Sequence, residues 1–297
     1  MPRYAYLNGQ WIDDARLSIP VGDPGFALGV TVTERLRTFA GRPYRADEHL
    51  ARLAGSLEII GLPAEPLAGE LRPVIDQYMT RNAALLAPGD DWAIVAFVTP
   101  GVGGEPTRCV HGFPLPFMGW ASQFTAGLPL WLSDHRQTPA NCWPPALKCR
   151  SRMHYYLADR QAGRQETGAR AVLLDQDGHI GEASTANIVA VRSGEGIVSP
   201  VMAKVLPGVS VGVVRELASR LGTPFVERDM LPEDLATADE VWLCSTSVCM
   251  LPATRFNGGP IGDGRPGPVY QRFLAAWGES VGVDIAAQAS RFASRQT

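Results

Sequence analysis

The stretch "DEHLARLAGSLEII", residues 47–60, carries Leu50, Leu53, Leu57 and Ile60 at helical spacing. It predicts a helix with one apolar face, capped at its start by Asp47. Such a face has to be covered by another element. The segment just before it, "VTVTERLRTF" at 30–39, reads as a strand, with the turn residues "GRP" at 41–43 between them. A strand followed at once by a helix with one apolar face excludes all-helical and all-strand folds.

The rest of the chain repeats that mixture. Strands fit 3–7 and 10–13, turned at Asn8-Gly9, and then 92–99, 107–115, 128–133, 170–175, 178–182, 186–191 and 240–244. Helices fit 67–82, 151–166, 206–222 and 266–281. The segment "FMGWASQFTAG" at 117–127 reads as a crossing between two lobes. The expectation is a mixed α/β (α+β) chain with a small N-terminal α/β domain over 1–120 and a larger C-terminal domain over 121–297. No G-x-G-x-x-G follows the first strand, so a dinucleotide-binding fold has no support.

Net charge is −3 with no basic stripe, which argues against a nucleic-acid partner. No apolar run reaches the ~18 residues of a membrane span. The N-terminal "MPRYAYLNGQWIDD" lacks the apolar centre of a signal peptide. Five cysteines show no metal-ligand spacing, so the expectation is reduced cytoplasmic thiols and no metal.

Of 27 Lys plus Arg, only Lys148 and Lys204 are lysine. A chain that uses arginine for its surface charge has reason to keep a lysine where a cation must also lose its proton and act as a nucleophile. Lys148 lies in "PPALKCRSRMHYY". If it forms a Schiff base with pyridoxal phosphate, the ring nitrogen needs a carboxylate and the phosphate needs a helix N-terminus and a guanidinium. Glu182 in "GEASTANIVAV" supplies a carboxylate at a strand end. Arg52 shares a helix face with His49. "LPGVSV" at 206–211 opens a helix at Gly208 with a hydroxyl at Ser210, and "CSTSV" at 244–248 sets hydroxyls after a strand. Each signal has an ordinary structural reading; their joint presence is the argument.

The chain resembles the class IV (fold type IV) pyridoxal-phosphate enzymes, the group of branched-chain and D-amino-acid aminotransferases and aminodeoxychorismate lyase. The resemblance runs from "YLNGQWI" through "HLARL", the Glu182-x4-Asn187 pair, "LPGVSVGVVREL" and "DEVWLCSTSVCMLPATRF". It implies the two-domain D-amino-acid-aminotransferase-like architecture with the cofactor between the domains. It implies Lys148 as the Schiff-base lysine and proton shuttle, Glu182 on the pyridine nitrogen and Arg52 on the phosphate. Val209, Ser210, Thr246 and Ser247 complete the phosphate cup. The substrates implied are a small amino donor and a 2-oxo acid, and the implied assembly is a homodimer.

Departures from the family pattern fall on the substrate side. Thr33 stands in "GVTVTE" where an aromatic is common, and Pro100 in "VTPG" where some members carry arginine. Met153 takes the place of a tyrosine five residues after the lysine, with Tyr155 and Tyr156 just beyond. Arg150 and Arg152 add positive charge near Lys148 and suggest an acidic substrate. The leading expectation is an aminotransferase, toward which Glu34 in the N-terminal motif also leans. The alternatives are a lyase that releases pyruvate from aminodeoxychorismate, and a catalytically silent scaffold, against which the intact set of Lys148, Glu182 and Arg52 argues.

Overall fold

The computed structural model describes residues 1–295, which divide into two compact units. The first comprises Met1–Leu115 together with Ala146–Ser151; the second comprises Pro116–Pro145 and the described residues from Arg152 to Arg295. The division after Leu115 lies near the boundary expected at 120. The segment around Lys148, however, packs with the first unit rather than the second. The cause is backbone pairing: Thr33 N donates to Lys148 O (3.0 Å), Arg150 N donates to Thr31 O (2.9 Å), and Val32 and Cys149 form an antiparallel bridge.

In the first unit, β1 (Tyr4–Leu7) and β2 (Gln10–Asp13) form the expected hairpin. Asn8 and Gly9 both take positive φ, as a tight two-residue turn requires. A short helix α1 (Pro24–Ala27) precedes β3 (Val32–Phe39), β4 (Arg42–Pro43), α2 (Ala46–Ile59) and α3 (Ala64–Asn82); β5 (Trp92–Thr99) and β6 (Thr107–Pro114) follow. The sheet order is β2-β1-β6-β5-β3-β4. Leu50, Leu53 and Leu57 of α2 and Leu67, Leu71 and Ile75 of α3 bury their faces against Val32, Leu36, Ile94 and Val98 of the sheet. Full burial of each such leucine contributes about 1.5–3 kcal/mol. Asp47 is not the cap. Helix α2 starts from Arg45, whose backbone is left-handed and offers no side-chain cap bond. The chain leaves β4 in that sharp turn, which puts Asp47 inside the first helical turn, where with Glu48 it opposes the positive helix end.

The second unit holds α4 (Gln123–Ala126), β7 (Leu128–Leu132), α5 (Met153–Gln165), β8 (Arg170–Leu174), β9 (Ile180–Ala183), β10 (Ala186–Arg192) and β11 (Gly196–Ser199). It continues with α6 (Val209–Arg220), β12 (Phe225–Glu227), α7 (Pro232–Ala236), β13 (Glu240–Ser245), β14 (Cys249–Phe256), β15 (Gly259–Pro260), α8 (Pro268–Val281) and α9 (Ile285–Arg291). Strands β10, β13, β14, β7, β8 and β9 pair in that order, and β9 pairs back to β10. The ring is therefore closed, which leaves these strands no free edge. Helix α5 covers β8 through Ala158, Ala162, Ala171 and Leu173; the alanines let the helix approach closely. Among the described residues, no helix is long and apolar enough to cross a membrane.

Candidate active site

Lys148 is placed by its own backbone. Its carbonyl accepts from Thr33, and its N–H donates to Ser56 Oγ of α2 (3.2 Å). Leu147 packs on the core under α2 and α3 and anchors the approach. The lysine is thus tied to both β3 and α2, although it lies in a stretch without regular structure.

The same unit contains a buried charged group that the sequence does not assemble. Glu34 of β3 is fully buried and accepts from Arg52 Nε (2.7 Å), Arg52 Nη2 (2.8 Å) and His49 Nδ1 (2.7 Å). Burial pushes the Glu34 carboxyl up, but Arg52, His49 and the charge of Lys148 outweigh it and bring the pKa down to about 2. For His49, burial dominates and holds the pKa below its ordinary value. The imidazole is therefore neutral. Because a carboxylate only accepts, its proton sits on Nδ1, and Nε2 is left as a buried acceptor without a partner. The sequence signal for Glu34 is a carboxylate inside an otherwise strand-forming run, but only the tertiary packing sets it against His49 and Arg52.

This group makes the unit acid-sensitive. The folded pKa of Glu34, about 2, lies below its ordinary 4.5. Its contribution is present above that ordinary value and is lost as the pH falls toward 2. His49 acts in the same direction: it is kept neutral when folded, so protonation below its ordinary 6.5 favours unfolding. Glu34→Gln is expected to lower stability by about 3–5 kcal/mol, the usual cost of breaking a buried ion pair, and to flatten the acid limb below pH about 4.5. Urea midpoints measured across pH check both effects; an unchanged midpoint would remove Glu34 from this role.

In the second unit Glu182 sits where β9 closes the ring onto β10, across from Asn187. It is buried and accepts from Tyr155 Oη (2.6 Å), Leu206 N (2.7 Å) and, at longer range, Asn187 Nδ2 (3.4 Å). Asn187 also donates to Leu206 O (2.8 Å), so it fixes the approach to α6. Gly208 precedes that helix and touches Asn187 so closely that an added Cβ would lie 1.9 Å from its Oδ1. Only glycine fits there, and the E-x4-N and LPG motifs are parts of one arrangement. Helix α6 begins at Val209, with Ser210 buried in its first turn. Thr246 and Ser247 lie in the turn joining β13 to β14, and α6 packs on β13. Tyr155, on α5, donates its hydroxyl to Glu182, whereas the family pattern of spacing from Lys148 points to the position two residues earlier, Met153. Arg152 stands at the start of α5. Arg150 is exposed, and Thr33 is buried with its hydroxyl donated to Ala96 O (3.2 Å).

The first unit thus holds Lys148 and the buried Glu34–His49–Arg52 group, and the second holds a buried Glu182 gripped by three donors at the opening of α6. The amino-transferase class IV family model matches residues 31–256, and the chain belongs to the class IV aminotransferases. It is similar to the D-alanine aminotransferase of Bacillus licheniformis, 25% identical with 93% of this chain and 96% of that protein covered. It is equally similar to the branched-chain-amino-acid aminotransferase of Escherichia coli K12, 25% identical with 92% and 91% covered. In fold it matches the branched-chain aminotransferase of the thermophilic archaeon Thermoproteus uzoniensis, solved with norvaline. There the TM-score is 0.82 and the identity 21%, over 98% of this chain and 97% of that one.

The protein is a pyridoxal-phosphate-dependent aminotransferase, moving an amino group between an amino compound and a 2-oxo acid. The donor set fits that cofactor. Glu182 is a buried acceptor suited to a protonated ring nitrogen, the helix start at Gly208 and Val209 leaves N–H groups suited to a phosphate, and Lys148 is a primary amine.

Proposed function

We propose that Lys148 is the amine that holds the cofactor and carries the proton, with Glu182 on the ring nitrogen and Arg52, Val209, Ser210, Thr246 and Ser247 on the phosphate. The observation that carries this reading is the Glu182–Asn187–Leu206–Gly208 arrangement, because it joins a buried carboxylate to the start of α6. Bound, the cofactor supplies an aldehyde for Lys148 and an electron-withdrawing ring. The chain's own part is then to hold and move protons. The Lys148 amine takes the proton from the donor's Cα and returns it close by, as a positioned base near its target can. Glu182 would stand opposite the ring nitrogen, with Tyr155, Leu206 and Asn187 fixing its two oxygens. Glu34 and His49 hold Arg52 in one orientation.

The partners are an amino donor and a 2-oxo acid. Thr33, Arg150 and Arg152 are assigned to the substrate side, where charge in place of an aromatic wall favours an acidic compound. We assign the protein to the cytoplasm as a homodimer; five cysteines without a disulfide among them agree with a reducing compartment.

Arg52→Ala is expected to weaken cofactor retention about ten- to 150-fold, the equivalent of one charge-assisted phosphate contact. Equilibrium dialysis of the cofactor checks it, and an unchanged dissociation constant would confine Arg52 to its bond with Glu34. The whole reading is tested on purified, cofactor-loaded protein. An amino donor alone should bleach the yellow form, and a 2-oxo acid should restore it. Single-step release of pyruvate from aminodeoxychorismate, without the need for an acceptor, would replace the aminotransferase reading with the lyase.

A further inference from the structure

Helix α2 carries two adjacent stripes. Leu50, Leu53 and Leu57 face the core, and His49, Arg52 and Ser56, spaced three and four residues apart, form a polar stripe beside them. His49 and Arg52 bond Glu34. Ser56 is buried as well, and its Oγ accepts from the backbone N–H of Lys148, 92 residues away along the chain (3.2 Å). Serine inside a helix gains nothing over alanine in helix propensity, and a buried hydroxyl costs free energy unless it is bonded. The bond to Lys148 accounts for a hydroxyl at this position. The segment it holds is short: Ala146–Ser151 belongs to the first unit, while Pro145 and Arg152 on either side belong to the second. Apart from the Val32–Cys149 bridge it has no regular structure of its own. Its position is fixed by Thr33 N on Lys148 O, Arg150 N on Thr31 O, Ser151 Oγ on Gly29 O (2.9 Å) and Lys148 N on Ser56 Oγ.

We propose that Ser56 is a positioning residue of the reaction: by holding the backbone N–H of Lys148 it fixes the direction in which the lysine side chain leaves the chain. The inference rests on the assignment of Lys148 made above and adds to it a residue that acts through the backbone. A peptide unit is planar, so one bond at each side of a residue orients both of its flanking planes. At Lys148 the plane after the Cα is held by Thr33 of β3, and the plane before it by Ser56 of α2. Together they set the Cα–Cβ direction. The flexible four-carbon stem of a lysine supplies no such order by itself. An amine that has to form a covalent bond and also move a proton depends on its starting position, and a misplacement of about 1 Å costs on the order of 10²-fold in rate. Without the Ser56 hydroxyl the N–H of Lys148 loses its acceptor on α2. The plane before the lysine is then free to turn, while Thr33 still holds the plane after it. The polar stripe of α2 thus orients Arg52 through Glu34 and Lys148 through Ser56, and one helix face sets both cations in a common frame.

The test uses the cofactor-loaded enzyme and the variants Ser56→Ala and Ser56→Thr. Ser56→Ala is expected to lower kcat by about ten- to 10²-fold, with KM for the donor and the cofactor's dissociation constant little changed. Ser56→Thr keeps the hydroxyl and should recover most of the lost kcat. A lower unfolding midpoint with kcat unchanged would make Ser56 a packing residue and overturn the inference, and so would weaker cofactor binding with kcat unchanged. A second readout needs neither turnover nor a change at Ser56. The chain has two lysines, so nitrogen-15 labelling of lysine gives two backbone amide signals, and Lys204→Arg leaves that of Lys148 alone. In that protein the Lys148 amide should exchange with solvent about tenfold or more slowly than an open chain would. Adding Ser56→Ala should remove the protection. An unprotected Lys148 amide with Ser56 intact would overturn the inference, whatever the variants do. Failure of the Lys148 assignment is a separate outcome: it would appear in the wild type as absent covalent cofactor attachment, with the amide still protected.

Discussion

Lys148→Ala is expected to abolish transamination and covalent cofactor attachment while leaving the fold intact. The backbone bonds that place residue 148 run from its N–H to Ser56 and from Thr33 to its carbonyl, and alanine keeps both. What is lost is the amine, and neither Ser56 nor the neutral His49 has the nucleophilicity to replace it. Turnover should fall by several orders of magnitude, as when a covalent catalyst is removed (about 10⁴-fold or more). Borohydride reduction of the wild type followed by peptide mapping should put the label on the peptide containing Lys148. A label on Lys204 would reassign the chemistry. That residue is half-exposed and paired with Asp229 (2.5 Å), which raises its pKa and favours the protonated, unreactive form.

Glu182→Gln is expected to reduce turnover by about 10²-fold or more, in line with the loss of a positioned acid–base group. Glutamine fits the same space and its carbonyl oxygen can still accept from Leu206 N, so the link to α6 survives. An amide carries no charge, however, and cannot hold a proton on the ring nitrogen. Its NH2 would also meet either the Tyr155 hydroxyl, which can turn to accept, or the Asn187 amide, which cannot. Turnover and cofactor content should be measured together. Near-normal turnover with full cofactor would remove Glu182 from this role, and loss of the cofactor alone would make it a retention residue.

The residues that local pattern exposes are those whose signal is periodic or whose type is rare. Leu50, Leu53 and Leu57 repeat at helical spacing, and the structure buries them on one face of α2. Asn8-Gly9 announces a hairpin because both residues tolerate positive φ. Lys148 stands out against a background of arginine. Where the pattern is blurred, less is legible. Strand β14 contains Pro252, which weakens a strand signal, yet Pro252 lies opposite Trp242 within the closed ring. The short strands β11 and β12 and the helices α7 and α9 hold too few residues for periodicity to register.

By itself, then, the sequence determined the mixed class, the main helices and strands, and the residue types from which a pyridoxal-phosphate site can be built. The tertiary structure alone decided three things: that the segment around Lys148 is a strand-like partner of β3, that Glu34 joins His49 and Arg52 in a buried charged group, and that Tyr155 rather than a nearer residue reaches Glu182. Each depends on contacts between segments far apart in the chain. Local propensity records what one segment prefers, whereas burial and register record which distant segment removes its polar groups from water, and a single sequence does not carry that pairing.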